Sequence, residues 1–135
     1  MQDLKNLLEK DKELIELTKN HIKKRYKEGF ISIGGALRTK SGKIYTGTNT
    51  KYHVRNLSTC AEMCAIYKAL DEGEEVFDTI VGVRYEPKTD TYRVVNGCGK
   101  CRQLYVYHKP LKVLIDNNSV IESIDSENLI PFAFT

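Results

Sequence analysis

The sequence lacks several features that would assign it to a special class of proteins. No stretch is apolar enough to span a membrane, and the first twenty residues contain no apolar run like that of a signal peptide. The chain also has no strong excess of positive or negative charge, because its 21 basic and 18 acidic residues leave a net charge of only +3. These charged residues lie scattered along the chain. We therefore expect a cytoplasmic protein that has neither a membrane nor a nucleic acid as its partner.

Histidine is scarce, and His21, His53 and His108 are too far apart to suggest a metal-binding cluster. Four cysteines are present instead, in two short segments: residues 59–64 (TCAEMC) and residues 96–103 (NGCGKCRQ). In the reducing cytoplasm, clustered cysteines are more often metal ligands than disulfides. The cysteines, rather than the histidines, are therefore the candidates for chemistry.

The chain has the length of one domain, and we predict a single domain over residues 1–135. Apolar residues at helical spacing predict a first helix over residues 4–22 that ends at Gly29. Five apolar segments are predicted strands, at residues 30–39, 44–49, 76–85, 112–116 and 120–124. Further helices are predicted at residues 60–73, with Thr59 as N-cap, at 98–108 and near 125–131. This order favours an α/β sheet with helices on its faces.

The two cysteine segments suggest a metal site with catalytic character. Cys98 and Cys101 form a C-x-x-C pair, a common zinc-binding spacing, and Cys60 can supply a third sulfur from the other helix. Three protein ligands leave the fourth position of a tetrahedral zinc open to water. Glu62 lies within the same helical turn as Cys60, so its carboxylate can face that water without binding the metal.

A closed structural site that uses Cys64 as the fourth ligand is the alternative interpretation. Its C-x-x-x-C and C-x-x-C spacings are acceptable for zinc. However, Cys64 lies one helical turn beyond Cys60, about 5 Å further along the axis, so one ion would reach both only with distortion. A redox pair at Cys98 and Cys101 is a further alternative, but it leaves Glu62 without a role.

The segments CAE, at residues 60–62, and CGKCRQ, at residues 98–103, resemble the paired motifs of the cytidine deaminase family. Residues 33–49 resemble the first hairpin of that family. Residues 77–85, 93–95 and 129–131 resemble its blasticidin S deaminase branch. The resemblance implies a three-layer α/β/α sandwich with a mixed five-stranded sheet, a catalytic Zn²⁺ and a homotetramer.

The same resemblance assigns roles to individual residues. It implies hydrolytic deamination of a cytosine ring, with Glu62 acting first as base and then as acid. It places Asn49 and Ala61 at the substrate. Met63 stands where many members have an arginine that offsets the charge of the thiolates, so Arg102 becomes the candidate for that task.

Two departures from the family pattern concern the loop before each motif. Gly97 replaces a proline, which removes no chemical group. Lys51 stands where cytidine deaminases carry a glutamate that binds the ribose hydroxyls, and an ammonium can only donate hydrogen bonds. We therefore expect cytidine to be a poor substrate and a nucleoside with an anionic sugar, such as blasticidin S, to be a better one, unless Lys51 points to solvent.

Two other functions remain open on the sequence alone. A deaminase of a base within RNA or DNA would need a basic, aromatic groove, which the balanced charge does not favour. A structural zinc module would leave Glu62 unexplained.

Phe132 and Phe134, near the C-terminus, could either cover the site of a neighbouring chain in the tetramer or dock on their own core.

Overall fold

The computed structural model describes residues 1–134, and these residues form three α-helices and six β-strands. In chain order the elements are α1 (Glu9–Arg25), β1 (Ile33–Thr39), β2 (Ile44–Thr48), α2 (Ala61–Asp71), β3 (Phe77–Glu86), β4 (Thr91–Val95), α3 (Gly99–Val106), β5 (Lys112–Asn117) and β6 (Val120–Asp125). Two short 3₁₀ turns, Arg55–Leu57 and Ser126–Leu129, complete the described structure.

All six strands belong to one mixed sheet with the order β2-β1-β3-β5-β6, and β4 also pairs with β3. The β3–β5 pair is parallel and the other pairs are antiparallel. Strands β4 and β5 share one edge of β3, because β4 pairs with residues 82–86 and β5 with residues 79–80. The sheet therefore splits along β3 at Gly82, and the loop after β4 leaves from this split.

Helices cover both faces of the sheet. Leu14 and Ile15 of α1 pack with Val81 and Val83 of β3 on one face. On the other face, Ile66 of α2 and Tyr105 of α3 belong to a second core cluster that includes Ile80. The sheet is thus the middle of three layers, which confirms the predicted α/β/α sandwich, and β4 adds a sixth strand to the five predicted.

The N-terminal segment differs from its prediction. Helix α1 begins at Glu9 rather than near Leu4 and ends at Arg25 rather than Gly29. The first residues instead pair with the sheet edge, because the Asp3 N–H donates to the Ser119 carbonyl and the Asp3 carbonyl accepts from the Ile121 N–H. Backbone pairing at this edge replaces the helical turns that the apolar spacing suggested.

None of the helices within residues 1–134 combines the length and the apolar character needed to cross a bilayer. The prediction of one domain over residues 1–135 includes Thr135, which lies outside the described residues.

Candidate active site

The two cysteine segments meet at the beginnings of two helices. Cys60 is the N-cap of α2 and Cys98 is the N-cap of α3, whereas Cys101 lies in the first turn of α3. The predicted N-cap Thr59 is therefore wrong by one residue. The positive ends of both helix dipoles point toward the sulfurs, which favours thiolates. Hydrogen bonding with Cys101 lowers the pKa of Cys60 to about 6 and raises the pKa of Cys101.

The three sulfurs have the spacing of a metal-binding triad. The Sγ atoms of Cys60 and Cys98 are 3.6 Å apart, those of Cys98 and Cys101 are 3.8 Å apart, and all three lie within 4.8 Å of one another. Tetrahedral zinc with bonds of about 2.3 Å would place its sulfur ligands about 3.8 Å apart, so the cluster fits this ion. Cys64 is not part of the cluster, which supports the open site over the closed four-cysteine site.

Two glycines allow helix α2 to lie directly on the sheet. A methyl group added at Gly47 of β2 would lie 2.5 Å from the Ala61 carbonyl oxygen and 2.7 Å from Cys64 Cβ. A methyl group added at Gly82 of β3 would lie 2.6 Å from Glu62 Oε2. Because these two positions are glycines, the helix can approach the sheet closely, and the Glu62 carboxylate occupies the space that a side chain at Gly82 would fill.

Glu62 is a buried acid in an apolar layer. Its side chain is 5% exposed, and burial raises its pKa to about 7, helped by the negative charge of Cys60. No ion pair involves this carboxylate in the described part of the chain. A buried carboxyl group whose pKa lies near 7 and that has no ion-pair partner is typical of proton-transfer sites.

The sulfur cluster and Glu62 line one cavity of about 300 Å³. The remaining lining residues are Ile33, Asn49, Thr59, Ala61, Arg84, Val95 and Asn96. A larger groove of about 610 Å³ lies between the first residues and β4, but it contains neither cysteine nor Glu62. The smaller cavity is therefore the candidate active site.

Of the predicted substrate residues, the structure brings Asn49 and Ala61 into this cavity but not Lys51. The Asn49 Oδ1 atom accepts hydrogen bonds from the N–H groups of Ser32 and Ile33, both at 2.9 Å, so this side chain also fixes the start of β1. Lys51 is exposed in the loop that the Thr50–Thr59 bridge closes.

Arg102 and Met63 do not line the cavity and instead make contacts that support the fold. The Arg102 guanidinium donates to the Gly97 carbonyl at 2.8 Å and to the Leu129 carbonyl at 3.3 Å, and so it braces the segment that leads into Cys98. Met63 is buried in the core cluster between sheet and helices. Met63 therefore adds to the core and does not line the cavity.

Sequence reasoning missed Arg84 and Asn96. Arg84 follows the buried part of β3, and Asn96 follows β4, a strand that was not predicted. The alternation of side chains along β3 is the signal that could have found Arg84, because residues 82 and 84 share one face of the strand.

Comparison with known proteins shows which families and proteins this chain resembles. A family model described as the cytidine and deoxycytidylate deaminase zinc-binding region matches residues 8–116. The blasticidin-S deaminase of Bacillus cereus is 36% identical over 134 residues, which cover 96% of each chain. A cytidine deaminase of Halalkalibacterium halodurans is 36% identical over 108 residues, which cover 78% of each chain.

Solved structures show the same fold. The crystal structure of cytidine deaminase from Burkholderia pseudomallei has a TM-score of 0.74 and 29% identity, and the match covers 91% of this chain and 98% of that one. The cytidine deaminase from Bacillus anthracis has a TM-score of 0.79 at 22% identity, over 91% of this chain and 88% of that one.

Proposed function

Because the chain belongs to the cytidine and deoxycytidylate deaminase family, we propose that it deaminates the cytosine ring of a free nucleoside or of blasticidin S. The chain is a hydrolase that acts on a C–N bond, and the products of the proposed reaction are the uracil ring and ammonia. The observation that supports this proposal most strongly is the presence of three clustered sulfurs and one buried carboxylate in the same cavity.

We assign Cys60, Cys98 and Cys101 as zinc ligands and Glu62 as the catalytic acid–base. Zinc held by the three thiolates would supply a water of lowered pKa. The Glu62 carboxylate would accept one proton from that water and deliver it to N3 of the ring, while the hydroxide left behind adds to C4. Glu62 would then take the second proton, from the added hydroxyl group, and deliver it to the amine, so that the C4–N bond breaks, ammonia leaves and C4 keeps the oxygen as the uracil carbonyl. One carboxylate thus acts first as base and then as acid.

Asn49 and Ala61 contact the substrate in this proposal, and Arg102 acts through the loop that it braces. The substrate is a small molecule, because a cavity of about 300 Å³ matches the lower end of ligand pockets. Deamination of a base within RNA or DNA is less well supported, since the chain has a net charge of only +3. The free cysteines also support a cytoplasmic location.

An ammonia-release assay with cytidine, deoxycytidine and blasticidin S tests the function. We expect the purified, zinc-loaded protein to release one ammonia for each uracil ring formed from at least one of the three. We expect Glu62→Gln to retain zinc and fold but to lose turnover by about 10⁴-fold, the upper end for positioned acid–base catalysis. Glu127→Gln, an exposed surface change, is the matched control. A Glu62→Gln variant within tenfold of the wild type would remove Glu62 from the mechanism.

We further propose that the protein is a homotetramer. Phe132 and Phe134 are 104% and 79% exposed, so the alternative in which they dock on their own core is wrong. The Gln103 side chain holds the backbone of Phe134 through bonds of 2.6 and 3.2 Å, which presents this apolar end outward. Light scattering at micromolar concentration should give four times the chain mass, and a monomer would contradict the proposal.

A further inference from the structure

Arg84 is a charged and exposed residue in the lining of the cavity. Along β3, Gly82 faces the Glu62 carboxylate, and alternation places Arg84 on the same face two residues further along. The two Cα atoms are about 7 Å apart at the usual rise of a strand. Ile33, opposite Arg84 on β1, also lines the cavity. Arg84 therefore lines the same cavity as Glu62, two residues along β3 from the glycine that faces the carboxylate.

A second arginine lies directly opposite the first. Arg93 of β4 is the cross-strand partner of Arg84, and both side chains are exposed. Like charges in this position destabilise a sheet unless something offsets them. Within residues 1–134 the arginine ion pairs involve Arg38, and neither Arg84 nor Arg93 pairs with a carboxylate.

The nearby acids have other hydrogen-bond partners. Glu86 and Asp116 line the adjoining groove that Arg84 and Arg93 share. Glu86 accepts from the Lys88 N–H, and Asp116 accepts from the Ser119 N–H and from Gln2. The positive charge at the mouth of the cavity therefore remains available to a ligand.

We propose that Arg84 binds an anionic group on the sugar of the substrate and thereby selects anionic cytosine nucleosides over neutral ones. This inference rests on the proposed function and names the substrate class of the same cavity. A guanidinium binds carboxylate or phosphate through two parallel N–H···O bonds, so either anion fits its chemistry. Lys51 is exposed and does not line the cavity, so Arg84 takes the anion-binding role that the sequence had suggested for Lys51.

Matched substrates and variants test the assignment. Blasticidin S is compared with its methyl ester, which lacks the carboxylate charge and adds one methyl group, and deoxycytidylate is compared with deoxycytidine, which lacks the phosphate. The ratio of kcat/KM within each pair is measured for the wild type, Arg84→Gln and Arg84→Lys. Arg93→Gln and Lys51→Gln remove the same charge at positions outside the cavity lining.

We expect Arg84→Gln to lower the acid-to-ester ratio or the nucleotide-to-nucleoside ratio by roughly 10- to 100-fold, and Arg84→Lys to recover part of it. The pair that responds identifies the anion as carboxylate or phosphate. The neutral substrates should change by less than threefold. If neither ratio moves, or if Arg93→Gln or Lys51→Gln moves a ratio as far as Arg84→Gln does, the assignment is overturned.

Binding measurements separate this inference from the proposed function. Calorimetry with the zinc-loaded Glu62→Gln protein gives the affinities for the acid, the ester, the nucleotide and the nucleoside without turnover. A wild type that deaminates none of these compounds would refute the proposed function. The affinity ratios, measured with and without Arg84→Gln, would still support or overturn the role of Arg84.

Discussion

Gly82→Ala is a test of how the sheet positions the Glu62 carboxylate, to which we assign proton transfer. Gly82 lies in the middle of β3, and its φ is not positive, so alanine can adopt its backbone conformation. The added methyl carbon would lie 2.6 Å from Glu62 Oε2 and 3.1 Å from Glu62 Cδ. The two nearest atoms that it meets thus belong to the Glu62 carboxylate, and no sulfur is among its three nearest atoms.

The size of the effect follows from the displacement. Ordinary contact begins near 3.4 Å, so the carboxylate oxygen must withdraw by roughly 0.8 Å. A misplacement of about 1 Å in a catalytic group costs on the order of 100-fold in rate. Because the clash is with the end of a flexible side chain, we expect a loss of stability of only about 1–3 kcal/mol, typical of overpacking.

The assay combines steady-state kinetics, zinc content and thermal unfolding. We expect kcat to fall by about 100-fold, with one zinc per chain retained. Gly99→Ala is the matched control, because a methyl group there meets no atom within 4 Å. A Gly82→Ala protein within threefold of the wild-type kcat would refute the idea that this glycine sets the carboxylate position. Equal losses in the Gly99→Ala control would point to a general effect of added methyl groups.

Two further variants test the metal site and the scaffold. Cys64→Ala should retain one zinc per chain by metal analysis, because Cys64 lies outside the sulfur cluster, and loss of the metal would instead favour the four-cysteine site. Arg38→Met should destabilise the protein by about 3 kcal/mol, because it leaves the buried Asp11 carboxylate without its 2.7 Å partner and also breaks the 2.8 Å pair with Asp78. The matching fall in melting temperature is roughly 10 °C, and a triple variant with Asp11→Leu and Asp78→Asn should recover part of it.

The order of secondary structure could be predicted because most elements carry strong local signals. Strand β3 is mostly apolar, and its residues 79–83 are buried on both faces, as in a central strand. The N-terminal helix was placed too early because Leu4 and Leu7 also belong to the apolar core. Their helical spacing coincides with a segment that pairs through its backbone with the sheet edge, and local spacing cannot detect a partner more than a hundred residues away.

The sulfur cluster could be predicted from the sequence because the spacing of the cysteines brings their sulfurs together. A C-x-x-C pair at a helix start brings two sulfurs together whatever the rest of the chain does, and C-A-E adds the third sulfur and a carboxylate. Substrate residues have no such local code. Lys51 was chosen by its distance along the chain from Cys60, and the Thr50–Thr59 bridge leaves it in an exposed loop outside the cavity lining.

The buried and the exposed residues at the cavity differ in how strongly their substitution should affect folding. Glu62 and Cys101 are buried and fixed by the contact between α2, α3 and the sheet, so changes there alter both folding and chemistry. Arg84 is exposed near the end of β3 and Arg93 is exposed in the middle of β4, and substitutions at exposed positions usually change stability by less than about 0.5 kcal/mol. Specificity for the remote part of the substrate can therefore change without loss of the reaction. Under the proposal for Arg84, this separation would let one sulfur–carboxylate arrangement serve relatives named for cytidine and for blasticidin S.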